Sequence, residues 1–381
     1  MTETATKPLL PEGLRDLLPP DAGFESDAVD RLKLTFQANG YELVKPPLAE
    51  FEETLLSGVG TTMGARIFRM LDPVSHRTLG IRADITTQVA RIAATRLAKN
   101  PRPLRVMYAG QVLRVRGTHL EPERQFSQAG IELIGAPEGA ADAEVIVIVA
   151  EALAALGVAG VSIDLALPTL VPSILSSANV PEKNIDPLRA ALDHKDVAEI
   201  KALGADAGDM LTALVAASGP YTEAIGRLSN INLPRCAGLE WQGLVSVAEA
   251  VRAASPDLSL TVDAVENRGF EYHCGVTFSV FAQGAQRELG RGGRYTLSHN
   301  DGVEPATGAT LLVDALLGVM PIRALAKRMY VPFSTPRTVV SEWQGKGWSV
   351  LAGLGKSDDD VAEAQRLKCS HILAGDAPKE L

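Results

Sequence analysis

The chain has 381 residues, 46% of them hydrophobic and 22% charged, enough for one large domain with a smaller one attached. Its net charge of −9 argues against a general nucleic-acid surface, because holding a phosphate backbone takes clustered Lys and Arg. No apolar run approaches the ~18 residues that span a bilayer, and the start MTETATKPLLPEGL lacks the basic and apolar segments of a secretory signal, so a cytoplasmic chain without membrane association is expected. Three widely spaced cysteines (Cys236, Cys274, Cys369) fit a compartment where thiols stay reduced, and six scattered histidines without ligand spacing point to no metal site.

In chain order, Pro19 and Pro20 followed by Asp21 read as a stop and a helix N-cap. An amphipathic helix then runs to about Gly40, a C′ glycine, with Val29, Leu32, Leu34 and Phe36 as its apolar face. The strand YELVKPPLAE follows. Next comes a hairpin closed around Asp72-Pro73, and a helix that begins near Asp84, where Asp84, Thr86 and Thr87 make an ordinary N-cap environment. From Arg105 to Gly135 the period-two pattern calls for an antiparallel pair. Residues two apart share a face, so Gln128 and Glu132 point the same way with Gly130 between them, a polar floor open at its middle. The same pattern is also that of an edge hairpin with a solvated polar face.

After Gly135, the segment from about Ala140 to Leu156 is apolar nearly all round, as a buried helix would be. A strand GVSIDLAL follows, and then a helical, Ala- and Leu-rich insertion from Pro168 to about Ala254, broken at Pro181, Pro187, Gly204, Gly219-Pro220 and Pro234. The stretch LTVDAVENRGFEYHCGVTFSVFAQ returns to strand character, and Gly292-Gly293-Arg294-Tyr295, taken alone, could be a strand-end bulge. Alternating strand and helix signals in PRTVV, WSVLAGLG, DDDVAEAQRLK and SHILAG make the end of the chain a short α/β appendage.

R-Q-F-x-Q-x-G-x-E-x-x-G from Arg124 to Gly135, with Arg114 before it, resembles motif 2 and the following strand of class II aminoacyl-tRNA synthetases in the histidyl-tRNA synthetase version. The first helix and strand, with Pro47, resemble motif 1, the dimerisation element; a helix packed on its own domain is the alternative. Arg82-Ala83-Asp84-Ile85-Thr86 stands where the family has Arg-Pro-Glu-Gly-Thr. Arg268 to Gly275 resembles Arg-Gly-Leu-Asp-Tyr-Tyr-Thr-Gly, with His273 in place of the second tyrosine, and Gly292-Gly293-Arg294-Tyr295, followed by Thr296, resembles the second histidine-specific motif Gly-Gly-Arg-Tyr-Asp. The resemblance implies an α+β fold, a six-stranded antiparallel sheet flanked by helices. The synthetase-like domain would span 1–320 with its insertion at about 168–254, and a truncated α/β segment would span 321–381. It also implies a histidine site: Asp84 and Thr86 on the ammonium, Gln128 and Arg268 on the carboxylate, Glu132 and Tyr272 on the ring, Arg114 beside them, and His273 and Tyr295 lining the pocket.

The departures carry as much as the matches. Arg116 stands where the family has the glutamate that reads adenine, and it cannot accept a hydrogen bond. Val313-Asp314-Ala315 lies over Leu-Glu-Arg of motif 3, so the γ-phosphate arginine is replaced by Ala315, and a clamp of that kind is worth orders of magnitude in rate. The chain therefore resembles a paralogue group of the synthetases, the regulatory subunits of ATP phosphoribosyltransferase. The resemblance implies no catalytic residues or cofactor, a self-dimer, a short-form catalytic partner, and histidine as effector of feedback on histidine biosynthesis. Two alternatives remain at this stage: a degenerate synthetase that activates histidine with ATP through Arg114, and a scaffold with a vestigial pocket.

Overall fold

The structure, a computed structural model, describes residues 10–57, 60, 63–118, 122–266, 272–299, 302–321 and 327–381. The chain forms two compact units, Met1–Pro321 and Ile322–Leu381.

The first unit is built on a nine-stranded sheet. From one edge its strands are Glu42–Leu43, Leu104–Leu113, Gln125–Ile134, Gly302–Leu312, Gly290–His299, His273–Phe281, Ser162–Ala166, Ser259–Asp263 and Gly219–Pro220. The six from Leu104–Leu113 to Ser162–Ala166 pair antiparallel throughout, which is the expected six-stranded core. Glu42–Leu43 and Ser259–Asp263 are added parallel at either side of it. The period of two along Gln125–Ile134 sorts its side chains cleanly. Ala129, Ile131 and Leu133 enter the main core, whereas Phe126 and Ile134 join a second core with Val89 and Ala93 of the helix Thr86–Thr95. A strand with both faces covered loses solvent on both, and nine of its ten residues are buried.

The helices Asp21–Ala38 and Gly139–Leu156 cover the main-core face, packed on each other. Asp21 is the first helical residue and makes no side-chain cap; Pro20 holds the cap position. The buried stripe of that helix is Ala28, Leu32 and Phe36, spaced by four, and Leu34 stands outside it, 65% exposed. The helix Gly139–Leu156 is buried on most of its circumference, as its unbroken apolar composition requires, and ends on Gly157 in the left-handed region.

The stretch YELVKPPLAE is two strands rather than one. Glu42–Leu43 joins the large sheet, while Ala49–Phe51 pairs with Thr78–Ile81 in a separate three-stranded sheet completed by Phe68–Leu71. Pro46 and Pro47 between them cannot donate to a ladder, and their carbonyls instead accept from Arg82 Nη1 (3.1 Å) and Gln88 Nε2 (2.8 Å). The hairpin turn at Asp72 forms as its sequence requires, with the carboxylate accepting from the Val74 and Ser75 amides.

The helical insertion runs from Leu170 to Ala254 and buries its own apolar faces, including Leu188, Leu192, Leu211 and Leu214. Its last helix, Arg235–Ala254, packs on Gly139–Leu156, and Lys195 ties the insertion to the sheet through Asp263 at 2.7 Å. In the second unit the strands Arg328–Val331, Ser349–Ala352 and His371–Ala374 are parallel and Ala377–Glu380 is antiparallel. PRTVV, β-branched but preceded by proline, opens the helix Arg337–Gly345. Among the described residues no helix is long and apolar enough to cross a membrane.

Candidate functional site

A cavity of about 750 Å3 opens on the second face of the sheet, beside the helix Thr86–Thr95. Asp84, Thr86, Arg114, Gln128, Glu132, Tyr272, His273 and Tyr295 all line it, so residues from five separate stretches of sequence converge on one wall. Arg268 lies outside the described residues.

Glu132 is the centre of the acidic end. The alternation that buries Ile131 in the main core turns Glu132 the other way, where it is 1% exposed. Tyr295 donates to its Oε2 at 2.7 Å and Tyr108 to its Oε1 at 3.4 Å. Burial pushes the carboxyl up to about 8, against the pull of the Tyr295 hydrogen bond and with a further push from the Asp84 charge. Both phenols are raised well above their usual value, first by burial and then by the Glu132 charge, so they stay protonated and act as donors. Tyr295 is thus a support of Glu132 as well as a pocket wall.

Asp84 and Gln128 form the adjoining subsite. Gln128 Nε2 donates to Asp84 Oδ2 at 3.0 Å, and its Oε1 accepts from the Ile85 amide at 3.2 Å. Asp84 Oδ1 accepts from the Thr86 amide at 2.8 Å, an Asx turn that leads into the helix; the cap position itself falls to Ile85, one residue later than the sequence suggests. Arg82, 7% exposed, steadies this loop from beneath by donating through Nε to the Gln111 carbonyl at 2.8 Å. Its guanidinium crosses over Gly110, where a Cβ would sit 2.5 Å from Nη2.

The floor at Gly130 is not open. Tyr108 faces Gly130 across the ladder, and a Cβ at Gly130 would lie 2.4 Å from the phenol oxygen. The missing side chain makes room for the ring, whose hydroxyl meets Thr310 Oγ1 at 2.6 Å and Thr86 Oγ1 at 3.1 Å. Thr310 lines the cavity and Tyr108 supports it from behind, and motif matching passes over both. The signal was available: a glycine inside a strand pattern marks close approach by something, and its cross-strand partner is the first place to look.

Arg66, Arg114, Arg116, Arg287, Glu288 and Arg291 also line the cavity. The Arg114 guanidinium lies 4.5 Å from the centre of the Phe126 ring. Arg116 is exposed at the rim, two residues beyond Arg114. Ala315 is buried in the main core within the short helix Val313–Leu317, and Asp314 accepts from the Ser127 amide (3.4 Å) and faces Arg15 (3.5 Å). Neither reaches the cavity wall, which Leu312 supplies instead. Arg294 also points away from the cavity. It donates to Asp142 Oδ2 through Nε (3.0 Å) and Nη2 (2.9 Å), and to the Ala136 and Glu138 carbonyls. Among the described residues no group of three His, Cys, Asp or Glu side chains converges as a metal would need.

Comparison with known proteins agrees with this geometry. Residues 13–316 match the family model described as Histidyl-tRNA synthetase. The chain is 52% identical over 381 residues to the ATP phosphoribosyltransferase regulatory subunit of Paramagnetospirillum magneticum, covering 100% of both. It is 49% identical over 384 residues to that of Rhodospirillum centenum, covering 100% of this chain and 99% of the other. A solved ATP phosphoribosyltransferase regulatory subunit/histidyl-tRNA synthetase from Bacillus halodurans superposes with a TM-score of 0.82 at 23% identity, covering 94% of this chain and 97% of that one. The histidyl-tRNA synthetase of Nostoc sp. PCC 7120 gives 0.80 at 18% identity, covering 96% and 90%. These two structures bear on the fold alone. Matched end to end by relatives at about half identity, and over residues 13–316 by the Histidyl-tRNA synthetase family model, the chain belongs to the ATP phosphoribosyltransferase regulatory subunit family and has the histidyl-tRNA synthetase fold.

Proposed function

We propose that this chain works in the cytoplasm as the non-catalytic partner of a short-form ATP phosphoribosyltransferase catalytic subunit. It supports the first step of histidine biosynthesis and passes feedback from histidine to that subunit. The observation that carries this reading is 52% identity with a named regulatory subunit over the full length of both chains. In the proposed complex histidine occupies the acidic end of the cavity. Asp84 and Thr86 face its ammonium, Gln128 and Arg268 its carboxylate side, and Glu132 and Tyr272 its ring, with Arg114 beside them. A buried carboxyl flanked by donors supports a ring subsite, because an imidazole offers both a donor and an acceptor. A self-dimer through the first helix and strand would cover Leu34 (65% exposed) and Leu43 (40% exposed).

Reconstitution tests the whole reading. Adding the chain to a short-form catalytic subunit is expected to raise phosphoribosyl transfer and to make it sensitive to histidine; equal turnover and equal inhibition with and without the chain would refute it. Isolated, it is expected to show no histidine-dependent exchange of pyrophosphate with ATP. Exchange abolished by Arg114→Ala would point to the synthetase alternative. Calorimetry with histidine tests the site: a charge-assisted hydrogen bond is worth ~1.5–3 kcal/mol, so Glu132→Ala should weaken binding by roughly ten- to a hundredfold. Unchanged affinity in Glu132→Ala and Asp84→Ala would move histidine out of this cavity.

A further inference from the structure

The strands Leu104–Leu113 and Gln125–Ile134 are joined by residues 114–124, a connection longer than the roughly two to five residues a hairpin loop ordinarily takes. Arg114, Arg116, Gly117 and Thr118 of that connection line the cavity, so its placement decides where this part of the wall stands. A long loop fixed only at its two ends is easily displaced, and its position needs further contacts.

Those contacts form a row of backbone hydrogen bonds that continues past the ends of the two strands. The Val115 amide donates to the Arg66 carbonyl at 3.0 Å, the Arg114 amide to the Arg124 carbonyl at 2.7 Å, and the Arg124 amide to the Gly13 carbonyl at 2.8 Å. The outermost member of the row is the segment Pro11–Arg15. Its Glu12 carbonyl accepts from Arg124 Nη1 at 3.0 Å, while Arg124 Nε donates to the Arg114 carbonyl at 3.3 Å, so one guanidinium ties segment and loop together. Arg15, facing Asp314 at 3.5 Å, is a second attachment.

The segment is shaped for this contact. The Leu14 amide closes a turn on the Pro11 carbonyl at 3.1 Å, with Gly13 in its third position at φ +74°, a conformation that favours glycine. A Cβ there would lie 2.8 Å from the Arg124 Cγ and Cδ and 2.8 Å from the Pro122 carbonyl oxygen, and the last of these is backbone that cannot swing aside. Pro11 and Glu12 are exposed, so burial adds little to the hold and the hydrogen bonds carry it.

We propose that Pro11–Arg15 is a positioning strap: through Arg124 it fixes the part of the cavity wall that runs from Arg114 to Thr118, and with it how tightly the cavity retains its ligand. That the ligand is histidine rests on the reading above; that the strap fixes the wall does not.

Hydrogen exchange on the full chain without ligand tests the wall, and calorimetry with histidine tests retention. Gly13→Ala displaces the strap, and Arg124→Ala removes the guanidinium while leaving the backbone bonds possible. Thermal melts show which variants fold; should Gly13→Ala not fold, Arg124→Ala alone decides. The expected result is exchange at residues 114–118 faster by roughly tenfold, exchange at Ile131 and Leu133 in the main core unchanged, and histidine bound about threefold more weakly. Arg124→Lys, which keeps a donor for the Glu12 carbonyl, should restore part of both effects. Unchanged exchange at 114–118 in either folded variant overturns the proposal. Faster exchange there with histidine affinity unaltered overturns it too, because the wall would then move without consequence for the ligand. A wild-type chain that binds no histidine would refute the histidine reading, and the exchange comparison would still decide whether the strap holds the wall.

Discussion

Burial lifts the Glu132 carboxyl from 4.5 to about 8, so across that window the folded chain holds a proton that the unfolded chain has given up. The sign follows directly. Folding binds the proton, stability is greatest below pH 4.5 as far as this group is concerned, and it declines as pH rises towards 8. The decline is bounded by about 5 kcal/mol from the size of the shift, and relaxation around the ionised group makes it smaller. Glu132→Gln keeps a hydrogen-bonding partner for Tyr295 but cannot ionise. Denaturant melts from pH 5 to 9 should therefore show a falling wild-type stability and a flatter variant; parallel curves would mean that Glu132 titrates near its ordinary value. Tyr108→Phe removes one hydroxyl shared by Thr86, Thr310 and Glu132 and should cost about 1–3 kcal/mol, because those buried groups lose a partner while the ring still fills the space above Gly130.

Between strands, the fit of Tyr108 to Gly130 sets a steric limit. Gly130→Ala puts a methyl 2.4 Å from the Tyr108 ring and from the Ala309 carbonyl, and one of those two must move. A loss of about 1–3 kcal/mol in a denaturation experiment is expected, with weaker histidine binding, since the ring moves towards Thr86 and Glu132. Arg294→Ala acts at a different level. It strands the 3% exposed Asp142 between sheet and helix, so a cost of about 3–5 kcal/mol is expected, while the folded protein binds histidine as before. A parallel loss of histidine affinity would assign Arg294 to the pocket. The same contrast shows how much was legible in the sequence. Period-two alternation was enough to put Gln128 and Glu132 on one face, and the family resemblance supplied Asp84, Tyr295 and the six-stranded core. What could not be read was which direction a motif residue faces once a strand is paired. Arg294 went to the helix layer, Gly130 was covered by a cross-strand tyrosine, and YELVKPPLAE divided between two sheets because its prolines cannot sustain one ladder. Each of these depends on a partner distant in sequence, and local pattern carries no record of that partner.

At the scale of the molecule, every residue lining the cavity lies at or before Leu312, within the unit that ends at Pro321. The second unit has two small cores of its own, Met329 with Val331 and Val340 on one face of its sheet, and Tyr330 with Ala364 and Ile372 on the other. A chain stopped after Pro321 should therefore keep histidine binding within about threefold of the full protein by calorimetry. A loss beyond tenfold would show that the second unit supports the site. Whether the shortened chain still stimulates a catalytic subunit then separates effector binding from the delivery of its signal.

The four-point grip of Arg294 on Asp142 and the Ala136 and Glu138 carbonyls has a consequence for how such proteins are told apart. Four of that guanidinium's five N–H groups are spent on masonry, joining the sheet to the helix Gly139–Leu156 and the turn before it. A Gly-Gly-Arg-Tyr signature therefore vouches for the building and not for its trade. A chain that has given up adenylate chemistry has no mechanical licence to discard the arginine, and one that practises it needs the same brace. A position without such a brace is Arg116, exposed at the cavity, where a change of side chain disturbs no packing.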